Sequence, residues 1–222
     1  MKVIVTGAGG FIGTQLVREL CQRGTLALQP TGEVAISSIV AADLSISEQS
    51  RKDLPDWVSF VESDLSTDEA VDSIIPKEED FLLFHLAAIV SGDGERDFDL
   101  CIRVNLEGTI KLLEACRNSR GQARVVFASS LAVFGGEACP PVVGDETKAL
   151  PQTTYGMTKL AGDGSAGGTA VGAQGLRFSS LRLTAGDGCS DGVLDFCLRF
   201  LHCLIACSLS LSRPPYVVRW CR

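Results

Sequence analysis

Lys2-Val3-Ile4-Val5-Thr6-Gly7-Ala8-Gly9-Gly10-Phe11-Ile12-Gly13 decides the fold. The Val and Ile run predicts a short buried strand. Residues 11–23 predict a helix with Ile12, Leu16, Val17 and Leu20 on one face. Between them Gly7, Gly10 and Gly13 form a GxxGxxG turn. Gly7 permits the tight turn, Gly10 lets the backbone approach a pyrophosphate, and Gly13 lets helix and strand pack closely. Phe11 and Ile12 open the helix, whose free amides and partial positive charge suit that anion. A strand before the glycines and a helix after them distinguish a dinucleotide-binding turn from an ordinary one.

Strands and helices alternate over residues 1–160. Residues 24–33, with Pro30 and Gly32, read as a loop, and 34–42 as a second strand ending at Asp43. Residues 57–62 predict a third strand, followed by Asp64 and Leu65, and 67–75 a short helix. Residues 81–85 predict a fourth strand running into Ala87 and Ala88. Residues 98–117 read as one helix with Ile102, Leu106, Ile110, Leu113 and Cys116 along its buried stripe. Residues 124–130 predict a fifth strand ending in Ser129-Ser130. This pattern predicts an α/β fold, a Rossmann-type doubly wound parallel sheet covered on both faces. Ligands then bind at the carboxyl ends of the strands.

The chain has 222 residues, 45% apolar and 21% charged, the balance of a globular protein. Its net charge of −7 argues against nucleic acid or an anionic membrane as partner. Nine Cys, an odd number without a CxxC pair, point to free thiols in a reducing, cytoplasmic setting. Met1-Lys2 runs straight into Val3-Ile4-Val5, an apolar stretch too short for a signal peptide, so none is expected. No internal repeat is present.

The composition breaks near residue 160. From Leu160 to Arg222 there is no Lys and no Glu, although helices are normally solvated by both. Residues 1–160 therefore read as the cofactor domain, and 161–222 as a divergent tail, either a loosely ordered natural extension or, as favoured here, a stretch from a shifted frame or an alternative exon. Residues 193–211 are apolar but interrupted by Asp195, Arg199 and His202, short of the ~20 positions a membrane span needs.

At the end of the second strand, Asp43 can accept hydrogen bonds from both adenosine ribose hydroxyls. A 2′-phosphate would meet charge repulsion there, so NAD is expected over NADP. Asp64 either meets the adenine amino group or lies on the surface. Tyr155 and Lys159, at i and i+4, stand one helical turn apart. An ammonium beside a phenol is expected to lower its pKa and prepare it to take a substrate hydroxyl proton. A Ser hydroxyl from the 129/130 pair can hold the substrate oxygen. His85 reads as a core or cofactor-side residue, and Cys203 and Cys207 lack zinc-site partners, so no metal is expected.

TGAGGFIG at 6–13, DL at 64–65, HLAA at 85–88, VNLEGTIKLLEAC at 104–116, FASSLAVFGG at 127–136 and PQTTYGMTK at 151–159 resemble the extended short-chain dehydrogenase/reductase family. The resemblance covers about residues 1–160. It implies an NAD-dependent enzyme in which Ser130 (rather than Ser129), Tyr155 and Lys159 form the catalytic triad. Tyr155 would be the base and Lys159 would hold the nicotinamide ribose. It further implies that Asn105 supports the site, Asp43 binds the ribose and Asp64 the adenine, with Leu65 and Ala87 beside the cofactor. Family members often pair through the Tyr155 helix and the helix at 98–117, which implies a homodimer.

Arg23-Gly24-Thr25-Leu26, LAVFGG and PQTTYG are similar to a branch that oxidises the C2 hydroxyl of a four-carbon sugar acid to the 2-oxo acid. Two alternatives stay open: a nucleotide-sugar epimerase or dehydratase sharing every motif, and a catalytically silent NAD-binding protein. Ser130-Leu131 lacks the acidic pair expected of a dehydratase. After Lys159 the family continues through an arginine-leucine-proline run, an Arg-Pro-Gly turn and a substrate domain. Here Leu181-Arg182-Leu183-Thr184 is a faint echo, and an incomplete substrate domain is expected. Translating the gene's other two frames from the Leu160 codon is expected to yield a helix with Lys and Glu and an Arg-Pro-Gly turn. Stop codons or noise in both frames would refute the frame-shift reading.

Overall fold

Val3, Ile4 and Val5 are fully buried because β1 (Lys2–Thr6) runs through the middle of the sheet. Alternate side chains of a strand face opposite sides. Val3 and Val5 therefore pack with Leu16 and Leu20 of α1 (Phe11–Arg23), and Ile4 packs into the opposite layer with Leu112 and Leu113. The computed structural model describes residues 1–28, 31–52, 54–137, 139–144, 147–172, 176–183 and 216–217.

The remaining strands are β2 (Thr25–Leu28), β3 (Gly32–Ala35), β4 (Ser38–Asp43), β5 (Val58–Glu62), β6 (Phe81–His85), β7 (Ala123–Ser130), β8 (Leu176–Leu183) and β9 (Tyr216–Val217). The remaining helices are α2 (Glu48–Arg51), α3 (Asp68–Ile74), α4 (Ser91–Arg96), α5 (Phe98–Cys101), α6 (Gly108–Asn118) and α7 (Thr154–Gly172). The main sheet has the order β5-β4-β1-β6-β7-β8-β9, with every pairing parallel. The expected doubly wound α/β architecture is therefore present. Its chain direction brings the ends of β1, β4, β6 and β7 to one edge.

Three expectations need correction. Residues 25–28 and 32–33 are strand rather than loop, and 34–42 is not one strand. Gly24, at φ +64°, ends α1 in the left-handed region, after which β2 and β3 form an antiparallel hairpin. Leu26 and Leu28 are buried in the core, an alternation that the turn signals Pro30 and Gly32 mask in the sequence. The helix expected over 98–117 is also divided, because residues Ile102–Glu107 between α5 and α6 widen into a π-helical segment.

The compositional break at 160 falls inside α7. Beyond it, β8 pairs with β7 from Ala123↔Leu176 to Ser130↔Leu183, and it includes Leu181-Arg182-Leu183 of the faint motif. Residues 193–211, Cys203 and Cys207 lie outside the described residues. Among the described residues no helix is long and apolar enough to cross a membrane.

Leu83 of β6 is fully buried between the sheet and α6. Replacing it with Ala is expected to cost about 2–5 kcal/mol of folding stability, read as a lower urea midpoint. A change within error would show that this layer is not packed as described.

Candidate active site

The glycine turn is shaped by contacts that no side chain would fit. Gly7 has φ +73°, and a Cβ there would lie 2.7 Å from the Ala87 nitrogen. A Cβ on Gly13 would lie 2.0 Å from the Gly7 carbonyl oxygen. Gly10 precedes α1 without a side-chain cap, and Phe11 is 56% exposed at the first position of that helix. Ile12 instead turns inward against the core. The opening amides of a helix have no intrahelical partner, so this end is a ready anion site.

Asp43 ends β4 next to this turn. Its Oδ2 accepts the Gly9 N–H at 2.9 Å and its Oδ1 the Leu44 N–H at 2.7 Å. Gly9 is a residue that motif reading missed. A Cβ there would stand 2.2 Å from the Ser45 carbonyl oxygen, so the loop after β4 presses on the turn. A further glycine inside the motif was the only signal. Asp64 follows β5 and accepts from the Ser66 amide and hydroxyl at 2.9 and 2.7 Å. Those bonds hold its carboxyl below the usual range, and Arg103, 2.9 Å from Oδ2, adds to this. Leu65 packs into the core layer beneath α6.

Ser130, Tyr155 and Lys159 meet at the carboxyl end of β7. The Ser130 hydroxyl accepts the Ala132 N–H at 3.1 Å, capping the 3-10 turn Leu131–Val133, and it hydrogen-bonds Tyr155. The first turn of α7 lies close to that segment because residue 156 is glycine. A Cβ there would be 2.1 Å from the Ala132 carbonyl oxygen. Glu95 of α4 accepts the Tyr155 N–H and the Thr154 hydroxyl, both at 3.3 Å, tying down the same helix end. Lys159 is 3% exposed, donates to the Ala128 carbonyl at 2.9 Å, and lies 4.8 Å from the Phe127 ring centroid and 5.7 Å from that of Tyr155.

The expected electrostatics need correction. Burial raises the Tyr155 phenol above its ordinary value, and the Ser130 hydrogen bond opposes this only in part. The ammonium does not lower the phenol; burial instead brings Lys159 itself down to about 8. Desolvation outweighs attraction here because both groups lie in the same dry corner.

Asn105 sits in the π-helical segment and is 2% exposed. Its amide clamps both sides of Ile89, accepting from N–H at 2.7 Å and donating to C=O at 2.9 Å, and its Nδ2 also reaches the Thr158 hydroxyl at 3.4 Å. A buried chain of hydrogen bonds connects it to the glycine turn. The Ala87 N–H donates to the Thr6 hydroxyl, which meets His85 Nδ1 at 2.7 Å. His85 Nε2 meets the Thr109 hydroxyl at 2.9 Å, and that hydroxyl donates to the Asn105 carbonyl. Thr109 thus accepts from His85, so the network assigns the proton to Nε2.

Burial, with the Lys159 charge adding to it, lowers His85 to about 3. Between its ordinary pKa and that value the unfolded chain binds a proton that the folded one does not, so stability is lost as the pH is lowered. A loss of about 2 kcal/mol between pH 7 and pH 5 is expected in urea unfolding, with His85→Gln flattening the slope. An unchanged slope in that variant would refute the assignment. Among the described residues no cluster of His, Cys, Asp or Glu could hold a metal ion.

The sequence profile of the NAD dependent epimerase/dehydratase family matches residues 3–193, beyond the break at 160. D-erythronate dehydrogenase of Cupriavidus necator is 46% identical over 165 residues, 73% of this chain and 48% of that protein. The Haemophilus influenzae D-erythronate dehydrogenase is 36% identical over 159 residues, 72% of this chain and 47% of that protein. The chain thus spans about half the length of the curated relatives it matches. Among solved structures, Thermus thermophilus UDP-glucose 4-epimerase in complex with NAD superposes with a TM-score of 0.65 at 26% identity. That superposition covers 82% of this chain and 54% of the other.

Proposed function

The chain belongs to the NAD dependent epimerase/dehydratase family, and from that premise we propose that it binds NAD and oxidises a small sugar acid. The substrate class is D-erythronate-like, with the C2 hydroxyl converted to a 2-oxo acid. The observation that carries this reading is the meeting of Ser130, Tyr155 and Lys159 at the same edge of the sheet as the glycine turn after β1.

The residues fit the cofactor. Gly7, Gly9 and Gly13 leave backbone where a Cβ would collide, and the helix opens there without a side-chain cap. Asp43 supports an NAD rather than an NADP ribose, with Gly10, Phe11, Ile12 and Ala87 on the phosphate side and Asp64 and Leu65 toward the adenine. Bound NAD supplies a hydride acceptor. The residues of the chain handle the proton on the reacting hydroxyl. Ser130 holds that oxygen, and Tyr155 takes its proton. Lys159, kept in place by the Ala128 carbonyl, is the residue for the nicotinamide ribose. Asn105 is a positioning residue, since it braces the segment after β6 against α7.

The sugar-acid reading rests on the higher identity to the dehydrogenases. Nucleotide-sugar epimerisation is the second reading, favoured by the backbone likeness to the solved UDP-glucose 4-epimerase. Pairing of two copies through α6 and α7 belongs to the same proposal, with Ile110 of α6 42% exposed. A reducing cytoplasmic setting accords with the free Cys21, Cys101, Cys116 and Cys139.

NADH is expected to shift its fluorescence on mixing with the protein, and D-erythronate to drive NAD reduction read at the NADH absorbance band. Tyr155→Phe is expected to lower turnover by about 10²–10⁴-fold while NADH binding persists. Binding without turnover on any sugar acid or nucleotide sugar would establish the silent binder instead.

A further inference from the structure

We propose that Asp163 is a positioning residue whose carboxylate ties α7 to β7 and β8 and so sets where Ser130 and Lys159 stand. This rests on the site reading above but adds a residue to which that reading gives no part. Asp163 lies one helical turn beyond Lys159 and two beyond Tyr155 on α7, so the three share a face. Its Oδ2 accepts the Ser129 hydroxyl at 2.9 Å and the Arg182 guanidinium at 3.3 and 3.4 Å, while Oδ1 accepts the Ser180 hydroxyl.

The side chains of Asp163 and Arg182 are only 11% and 14% exposed. A carboxylate nearly out of water and left unpaired would be strongly destabilising, and these donors compensate its burial. Ser129 is the residue before Ser130, and binding it to α7 fixes the end of β7. Arg182 sits opposite Ser129 in the β7–β8 register, with its guanidinium 5.2 Å from the Phe134 ring centroid. Gly162, against the Phe127 ring, lets the helix come this close.

The second consequence is electrostatic. The groups facing Lys159 are Tyr155 and Asp163 on α7, Cys101 on α5 and His85 on β6, with Arg182 of β8 acting through Asp163. Asp163 leads the influences that favour the charged ammonium and opposes the burial that disfavours it. Its removal leaves burial less opposed. Removal of Arg182 frees the Asp163 charge to hold the Lys159 proton more firmly.

The test follows the lysine itself, by NMR titration of protein carrying [ε-¹³C]lysine without cofactor or substrate. Lys159 is one of six lysines and is assigned by its loss in Lys159→Met. The wild-type midpoint is expected at about 8. It should move to lower pH in Asp163→Asn and to higher pH in Arg182→Gln, with Asp163→Glu restoring the wild-type position. General loosening of the fold would not move one group in opposite senses.

Two midpoints that stay fixed, or that move the same way, overturn the proposal. If Asp163→Asn does not fold, Arg182→Gln decides alone: a rise upholds the proposal, and no change or a fall overturns it. Opposite shifts in a protein that binds no NADH would defeat the cofactor reading and leave the role of Asp163 standing.

Discussion

Lys159 keeps its ammonium out of water, and the arrangement of α7 follows from that single placement. A buried cation needs compensating partners, because its own desolvation works against the charge. Here the Ala128 carbonyl, the face of Phe127 and the carboxylate of Asp163 supply them. They can do so only if α7 lies almost in contact with β7, and Gly156 and Gly162 remove the side chains that would hold it off. The same approach brings Tyr155 into hydrogen-bonding contact with Ser130. The meeting of Ser130, Tyr155 and Lys159 is a by-product of close helix–strand packing rather than a separate device.

The glycine turn and this corner are one connected unit. Gly7 packs on the backbone of residues 86 and 87, and the Ala87 amide starts the chain of bonds through Thr6, His85 and Thr109 to Asn105. Asn105 in turn reaches Ile89 and Thr158. The links are directional bonds between buried and half-buried groups, so a shift of the turn is felt at α7. His85 suits the middle of such a chain, since neutral imidazole is donor on one side and acceptor on the other.

The sheet was legible because its strands are apolar runs broken by small and acidic residues at their carboxyl ends, and Asp43 and Ser130 stood at those ends. The hairpin at 25–35 was not, because a loop was inferred from Pro30 and Gly32 while the alternation of Leu26 and Leu28 spans only four residues. The π-helical segment around Asn105 was not legible, and the stripe expected through Ile102, Leu106 and Ile110 fails there: Ile110 is exposed, while Cys101, Asn105 and Thr109 are buried instead. Gly9 and Gly156 were hidden for a common reason: their importance lies in what approaches from another part of the chain. The pKa of Tyr155 went the wrong way in the sequence reading. Spacing shows which charge is near, and only packing shows how much water is gone.

Under the proposed function, substrate identity is a separate matter from the corner formed by Ser130, Tyr155 and Lys159. A hydroxyl on a sugar acid and one on a nucleotide sugar present the same reacting atoms to Ser130 and Tyr155, so this corner has no means of telling them apart. Discrimination must come from groups that meet the rest of the substrate, a carboxylate in one case and a nucleotide in the other. Among the described residues Lys159 and Arg182 are cations near the end of β7, Arg182 engaged by Asp163 and Lys159 by the Ala128 carbonyl. Glu95 lies against the first turn of α7, so these two cations stand beside two carboxylates and leave no local excess of either sign to select an anionic substrate.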